Sequence, residues 1–305
     1  MTPPIVVGVD PLRHDPEAAV LAALLARASG APVVAVAVHP HEIPLRPGGA
    51  PEDGLRGTAL ARLAAIEAAF HGVALETIAI PGPSAAHVLH DCAEERGAGL
   101  LVVGSTHRGI TGRITLGSTA DRLLHGAPCP IAVAPLGFAE RMHGFERIGA
   151  AFVDSEEGYE ALRAAGALTA AFRAELHVAT AVEPVAWSAT SLVQPNDVGA
   201  HLADRRARAE EHLRTALDGL APAVRSHYEV LVNSPVTALE QFSRDVDLLV
   251  CGSRGYGPLG SVLLGGVSRR LIHSAACPVI VVPRGTERAI EALTGAGNAA
   301  EAGRA

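Results

Sequence analysis

Two glycine-rich segments carry the clearest chemical signal in this sequence. Residues 104–135 read GSTHRGITGRITLGSTADRLLHGAPCPIAVAP, and residues 252–283 read GSRGYGPLGSVLLGGVSRRLIHSAACPVIVVP. Each segment follows an apolar run and leads into a predicted helix, where glycine lets the backbone approach a phosphate and unpaired N–H groups can face it. The pattern predicts an anion site in each segment, but tight turns alone would also account for the glycines.

Two aspartates, Asp10 and Asp154, each follow a predicted first strand. A carboxylate at such a position can hold Mg²⁺ or a ribose hydroxyl, or it can cap the next helix, and the residues alone leave both interpretations open. Ligands of parallel sheets bind outside the carboxyl ends of the strands, where the strand order reverses. If the first and fourth strands are neighbours, the aspartate and the glycine segment face one crevice.

The glycine segments belong to an internal duplication. They align without gaps and share a Cys-Pro pair, at Cys129 and Cys277. Upstream, IVVGVD ending at Asp10 aligns with IGAAFVDS, which contains Asp154, and VVAVAVHP aligns with LHVATAVEP. A period of about 145 residues is too long for a solenoid repeat, so the pattern indicates a duplicated domain.

Both halves alternate predicted strands with predicted helices, which is typical of a parallel sheet covered on both faces. The predicted strands are 5–9, 33–38, 74–80, 100–103 and 131–134, then 148–153, 176–182, 226–232, 248–251 and 279–282. The predicted helices include 17–28, 58–70, 84–96, 118–124 and 199–220, with a Pro/Gly-rich loop over 44–57. The domains follow as 1–138 and 146–284, with a flexible tail over 285–305.

Composition excludes several classes of protein. Hydrophobic residues make up 49 % of the chain, which argues against disorder, and a net charge of −7 without a basic block argues against nucleic-acid or membrane-surface binding. The chain contains no lysine, which excludes P-loop nucleotide triphosphatases, protein kinases and lysine Schiff-base enzymes. Because no signal peptide and no apolar run of about 18 residues is recognisable, we expect a cytoplasmic protein whose four cysteines are free and mostly buried.

The segment that begins at Gly252 resembles the carboxyl-terminal signature of universal stress proteins, which is Gly, two residues, Gly, nine residues, then Gly followed by Ser or Thr. The opening IVVGVD resembles the first strand of that family, and the likeness covers both halves. The chain thus resembles a tandem universal stress protein. The resemblance implies an α/β fold of two tandem doubly wound five-stranded parallel sheets, order 3-2-1-4-5, of the Rossmann-like adenine-nucleotide-binding type.

Nucleotide-binding members of that family hold ATP through the first-strand aspartate, the backbone at the end of strand two and the glycine loop. The residues that the resemblance implies are Asp10, Val38, Val103, Gly104, His107, Gly117, Ser118 and Thr119 in the first half, and Asp154, Val182, Cys251, Gly252, Gly255, Gly265, Gly266 and Ser268 in the second. Asp10 and Asp154 would also hold Mg²⁺ through the nucleotide. His107 replaces a signature glycine, and Gly266 replaces the Ser or Thr, a loss for which Ser268 could compensate.

The resemblance therefore predicts a stress-response regulatory protein that binds ATP or another adenine nucleotide. Because the sequence names no catalytic base or positioned water, we expect little or no hydrolysis and at most weak ATPase activity. One alternative is an interaction protein of the same fold that binds no nucleotide. A less favoured one is an α/β nucleotide enzyme, such as an adenylating pyrophosphatase or an electron-transfer flavoprotein, whose phosphate loop after strand one is missing here.

Assembly is a further implication of the resemblance, because single-domain relatives often dimerise through their fifth strands. Residues 131–134 and 279–282 could pair within one chain as an internal pseudo-dimer, which would cover two exposed sheet edges. A homodimer of the whole chain and an unidentified protein partner are also expected.

Overall fold

Ten strands and nine helices make up the regular structure of the residues described by a computed structural model. These residues are 2–13, 15–40, 52–105, 114–141, 144–184, 195–221, 224–253 and 266–295. The strands are β1 (Ile5–Val9), β2 (Val33–His39), β3 (Leu75–Pro81), β4 (Leu100–Gly104), β5 (Ile131–Ala134), β6 (Arg147–Ala151), β7 (Glu175–Val182), β8 (Ser226–Val232), β9 (Leu248–Gly252) and β10 (Val279–Val282). The helices are α1 (Glu17–Ser29), α2 (Glu52–Ile66), α3 (Ala85–Glu95), α4 (Ser118–Leu124), α5 (Glu156–Phe172), α6 (Pro195–Asp218), α7 (Pro235–Phe242), α8 (Gly266–Ser274) and α9 (Glu287–Thr294).

The strands form one sheet in the order β3-β2-β1-β4-β5-β10-β9-β6-β7-β8. Within each half the neighbours are parallel and the order is 3-2-1-4-5, which confirms the predicted topology. The halves join where β5 and β10 run antiparallel, with Ile131 opposite Val281 and Val133 opposite Val279. The predicted pairing of the two fifth strands within one chain is therefore confirmed, and neither strand is left as an open edge.

Both faces of the sheet are buried along its central strands, as the near-continuous Val and Ala runs of those strands require. Every residue of β2, β5 and β10 is buried. Successive residues of β1 enter different clusters of buried side chains, Ile5 and Val7 in one and Val6 in the other. Each cluster also contains residues of the second half, such as Ile280 in the first cluster and Val281 in the second. The two halves therefore share both hydrophobic cores.

The connection between the halves packs against the second half instead of forming a loose tether. Phe138 is 2 % exposed and stacks on Phe145 with ring centroids 6.3 Å apart. Phe145 in turn meets Phe172 of α5 edge-on at 4.9 Å. On the other face, the N–H group of the buried Ile114 donates to the carbonyl of Ala275, 3.1 Å away in the turn before β10. These contacts hold the halves in one orientation.

The carboxyl-terminal segment differs from its prediction. A flexible tail over 285–305 is wrong for residues 287–294, which form α9 and pack against α5. Ile290 and Leu293 are fully buried, and a Cβ atom on Gly99 of the first half would lie 3.2 Å from Leu293 Cδ1. Two apolar residues three positions apart lie on one helix face, which is enough to anchor a short helix. Residues 296–305 lie outside the described part of the chain.

Helix α2 also differs, because it begins at Glu52 inside the predicted 44–57 loop, and its predicted end, up to Phe70, is a 3₁₀ turn. Leu55 and Ala59 are buried, so packing of the first turns outweighs the low helix propensity of Gly54 and Gly57. Most other predicted boundaries agree to within two residues, and α6 begins four residues earlier than predicted.

We expect Leu293→Ala to lower the free energy of unfolding by about 2–4 kcal/mol, because it leaves a cavity between α9 and the first half. Urea denaturation followed by circular dichroism measures this change. Leu60→Ala is a suitable control, since Leu60 is 45 % exposed and its truncation should cost less than about 0.5 kcal/mol. Equal effects of the two substitutions would mean that α9 is not part of the core.

Candidate functional site

A cleft of about 410 Å³ opens at the carboxyl ends of β1, β2 and β4 in the first half. This is where the strand order reverses, since β1 lies between β2 and β4 and the chain winds outward in both directions from it. The predicted site residues that line it are Asp10, Val38, Val103, Gly104, Gly117, Ser118 and Thr119. The first-strand aspartate and the glycine segment thus face one crevice in this half. His107 lies outside the described residues.

Asp10 lies at the rim of the cleft and does not cap α1. Its Oδ1 accepts a hydrogen bond of 2.9 Å from the N–H group of Leu12, which closes the turn after β1. The residue that precedes α1 is Pro16, and it makes no side-chain capping bond. The turn fixes the Asp10 carboxylate at the mouth of the cleft, where it can meet a hydroxyl group or a cation.

Gly117 precedes α4 and contributes no side chain to occupy the amide groups of that helix's first turn. Ser118 and Thr119 follow it, and both line the cleft. The floor of the cleft is apolar, because it includes Val36 and Leu89. The cleft therefore combines amide and hydroxyl donors, apolar side chains and a carboxylate in its lining.

Asp15 is a lining residue that the sequence analysis missed. A Cβ atom on Gly104 would lie 2.8 Å from Asp15 Oδ2, so glycine at the end of β4 makes room for this carboxyl. Burial, a hydrogen bond with Glu17, and the charges of Glu17 and Asp10 together raise the pKa of Asp15 to about 7. The available signal was a third acidic residue between the first strand and its helix.

Glu17 connects this carboxyl to the turn after β5. Its side chain is buried, and its Oε1 accepts a hydrogen bond of 2.6 Å from the N–H group of Gly137. The second half repeats the arrangement, because Glu160 Oε1 accepts from the N–H group of Gly285 at 3.4 Å. Both glycines have positive φ, 77° and 76°, which favours glycine. The duplication therefore extends beyond the fifth strand.

A second cavity, of about 450 Å³, occupies the corresponding edge of the second half. The predicted residues that line it are Cys251, Gly252, Gly266 and Ser268. Asp154 and Val182 are not among its lining residues, and Gly255 and Gly265 lie outside the described part of the chain. The second half thus gathers fewer of its predicted residues than the first.

The sheet register explains this difference. Ile5 pairs with Leu100 in the first half, and Ile148 pairs with Leu248 in the second. Leu100 and Leu248 begin the equivalent strands β4 and β9, so Ile148 is the structural counterpart of Ile5. The sequence alignment matched Asp10 with Asp154. Over the first two strands of each half, that alignment is therefore displaced by one residue from the structural correspondence.

Counting along the strands from this register, Val153 corresponds to Asp10, and Ala181 corresponds to Val38. Val153 and Ala181 both line the second cavity. The carboxylate of Asp154 instead meets a residue of α6, with its Oδ2 3.1 Å from Nδ1 of His212. Asp154 lies beyond the end of β6 at Ala151, and it is not among the residues that line this cavity.

Two other predicted residues of the second cavity, Ser268 and Cys251, are less able to bind a ligand than predicted. The Ser268 hydroxyl donates to the carbonyl of Gly252 at 2.9 Å, so its proton is already used inside the protein. Burial raises the pKa of Cys251 to about 12, so this residue stays a thiol at neutral pH. A Cβ atom on Gly252 would lie 2.6 Å from the Glu157 carbonyl oxygen, which shows how closely α5 approaches β9.

All four cysteines are free and buried, as predicted. Among the described residues, no three His, Cys, Asp or Glu side chains lie close enough together to hold a metal ion. No helix in the described part of the chain combines the length and apolar character needed to span a bilayer.

Comparisons with known proteins agree with this architecture. The family model of the universal stress protein family matches residues 1–135 and again residues 144–283. A universal stress protein of Mycolicibacterium smegmatis is 30 % identical over 221 residues, covering 70 % of each chain, and universal stress protein Rv2319c of Mycobacterium tuberculosis is 29 % identical over 203 residues, covering 64 % of this chain and 68 % of its own. The crystal structure of a functionally unknown protein from Pseudomonas aeruginosa, PA1789, matches 97 % of each chain with a TM-score of 0.67 at 18 % identity.

Proposed function

Because this chain belongs to the universal stress protein family, we propose that its first half binds ATP and that the bound nucleotide regulates the protein in a cytoplasmic stress response. The observation that carries the proposal is the cleft between β1 and β4, where Asp10, Gly104 and the residues 117–119 line one space of about 410 Å³. That volume lies within the range of about 300–1,000 Å³ that small-molecule sites occupy.

Each part of the nucleotide has a group suited to it. The backbone at Val38 and the apolar floor suit an adenine ring, and the Asp10 carboxylate suits a ribose hydroxyl or a cation. The hydroxyl groups of Ser118 and Thr119 and the amide groups beside them suit phosphate oxygens. We propose binding with little or no hydrolysis.

Magnesium fits the same cleft as part of a nucleotide complex. Mg²⁺ is commonly held by one or two carboxylates together with substrate phosphates. Asp10 and Asp15 both line the cleft and interact electrostatically, so they meet that requirement. When bound, the cation would offset the repulsion between these two carboxylates and a triphosphate, and it would favour the ionised form of Asp15.

The second half offers a poorer nucleotide site, because Val153 stands where the first half has Asp10. We therefore propose one ATP per chain, held in the first half. Because the two fifth strands pair with each other inside the chain, association with a second copy or with another protein would use a different surface.

Titration calorimetry with ATP and MgCl₂ tests the proposal. We expect about one equivalent to bind the full chain, and we expect Asp10→Ala to weaken binding about 10- to 100-fold, since a charged hydrogen bond contributes about 1.5–3 kcal/mol. Asp154→Ala is the matched control and should bind as the wild type does. Absence of heat, together with no nucleotide in mass spectra of the purified protein, would favour an interaction protein that binds no nucleotide.

A further inference from the structure

The second cavity differs from the first in chemistry more than in size. Its volume of about 450 Å³ is similar, and it opens at the equivalent edge of the sheet. From its lining, we propose that it binds a small, uncharged and predominantly apolar molecule in place of a nucleotide.

Three positions of the second cavity lack a polar side chain that the first cleft has. By the strand register, Val153 replaces Asp10. By the ungapped alignment of the glycine segments, Gly266 replaces Ser118 and Val267 replaces Thr119. One carboxylate and two hydroxyl groups of the first cleft are thus absent from the second, and two of the three replacements are apolar side chains.

Asp15 of the first cleft has no counterpart in the second cavity either. Glu17 and Glu160 make the same contact in the two halves, and counting back from them places Gly158 at the position of Asp15. A Cβ atom on Gly158 would lie 1.9 Å from the Val153 carbonyl oxygen, so the close packing of α5 leaves no room for a carboxyl there.

The walls of the second cavity are mostly apolar. The larger apolar side chains among its lining residues are Phe152, Val153, Val236, Leu239, Val267 and Leu271. Burying apolar ligand surface against such walls favours binding. A triphosphate placed against these walls would lose its hydration.

The charges and hydrogen bonds of the lining also favour an uncharged ligand. Glu157 and Arg270 are the charged residues among the described lining, so their formal charges cancel. The Ser268 hydroxyl donates to Gly252, and the Ser155 hydroxyl accepts from the N–H group of Gly158 at 3.2 Å. Thr180 also lines the cavity and could bond a single polar group of a ligand.

Fluorescence titration of the full chain with the uncharged probe N-phenyl-1-naphthylamine tests the proposal. We expect saturable binding of one equivalent that MgATP does not displace. Ala181→Trp fills the second cavity and should weaken probe binding at least 10-fold. Val38→Trp places the same side chain at the equivalent position of the first cleft and should leave probe binding unchanged.

Val153→Asp is a second variant that keeps the test decisive if Ala181→Trp fails to fold. Val153 is 46 % exposed, so the fold should accept aspartate, while a carboxylate in the apolar wall should weaken probe binding about 10-fold. The proposal is overturned if no saturable probe site exists, if MgATP displaces the probe, or if Val38→Trp removes the site and Ala181→Trp does not. A protein that binds the probe as expected and binds no ATP would refute the proposed function and leave this inference standing.

Discussion

Val281→Asp should unfold this protein or lower its free energy of unfolding by more than about 4 kcal/mol, which is the range for an unpaired buried charge. Val281 is 1 % exposed and lies opposite Ile131 where the two halves join. A carboxylate there would be buried in a cluster of apolar side chains drawn from both halves. Because the halves share their cores, the variant should lose both halves together in a single transition.

Urea denaturation and light scattering measure this effect as stability and mass. Val232→Asp is the control, since the same substitution falls on β8 at the edge of the sheet, where Val232 is 42 % exposed. We expect it to cost less than about 1 kcal/mol. If Val281→Asp melts like the wild type, the antiparallel joint contributes nothing to stability, and the two halves fold independently.

Asp15→Asn should stabilise the protein increasingly as the pH rises from 4 to 8. The pKa of Asp15 is raised from its usual 3.8 to about 7, chiefly by burial and by its hydrogen bond with Glu17. The stabilising contribution of protonated Asp15 is therefore complete below about pH 4, and it is lost as the pH rises through about 7. Asparagine cannot ionise, so its side chain stays neutral over this whole range of pH.

The shift of about three pKa units corresponds to at most about 4 kcal/mol. Because Asp15 lies at a cleft that water enters, we expect the variant to gain about 1–2 kcal/mol over the wild type at pH 8, and to match it near pH 4. Denaturation at a series of pH values provides the measurement. Asp204→Asn is the control, since that exposed carboxylate on α6 pairs with Arg208. If the difference in unfolding free energy between Asp15→Asn and the wild type does not vary with pH, Asp15 is ionised throughout this range.

The sequence by itself determined the duplicated α/β organisation and the first half's candidate site. The strands could be predicted from short apolar runs, and the glycine segments could be recognised by their composition, because both are local properties of the chain. The family resemblance then supplied the strand order and the residues that line the first cleft, from Asp10 to Thr119. The resemblance also implied the pairing of the fifth strands, which the structure confirms.

The tertiary structure alone decided which residues face the second cavity. An aspartate follows β6 much as one follows β1, yet the register places Val153 and Ala181 at the cavity where the sequence indicated Asp154 and Val182. The register is set by hydrogen bonds to strands that are distant in sequence, so the local sequence pattern could not reveal a displacement of one residue. The raised pKa of Asp15 and the burial of Leu293 on α9 likewise arise from segments that meet only in the folded chain.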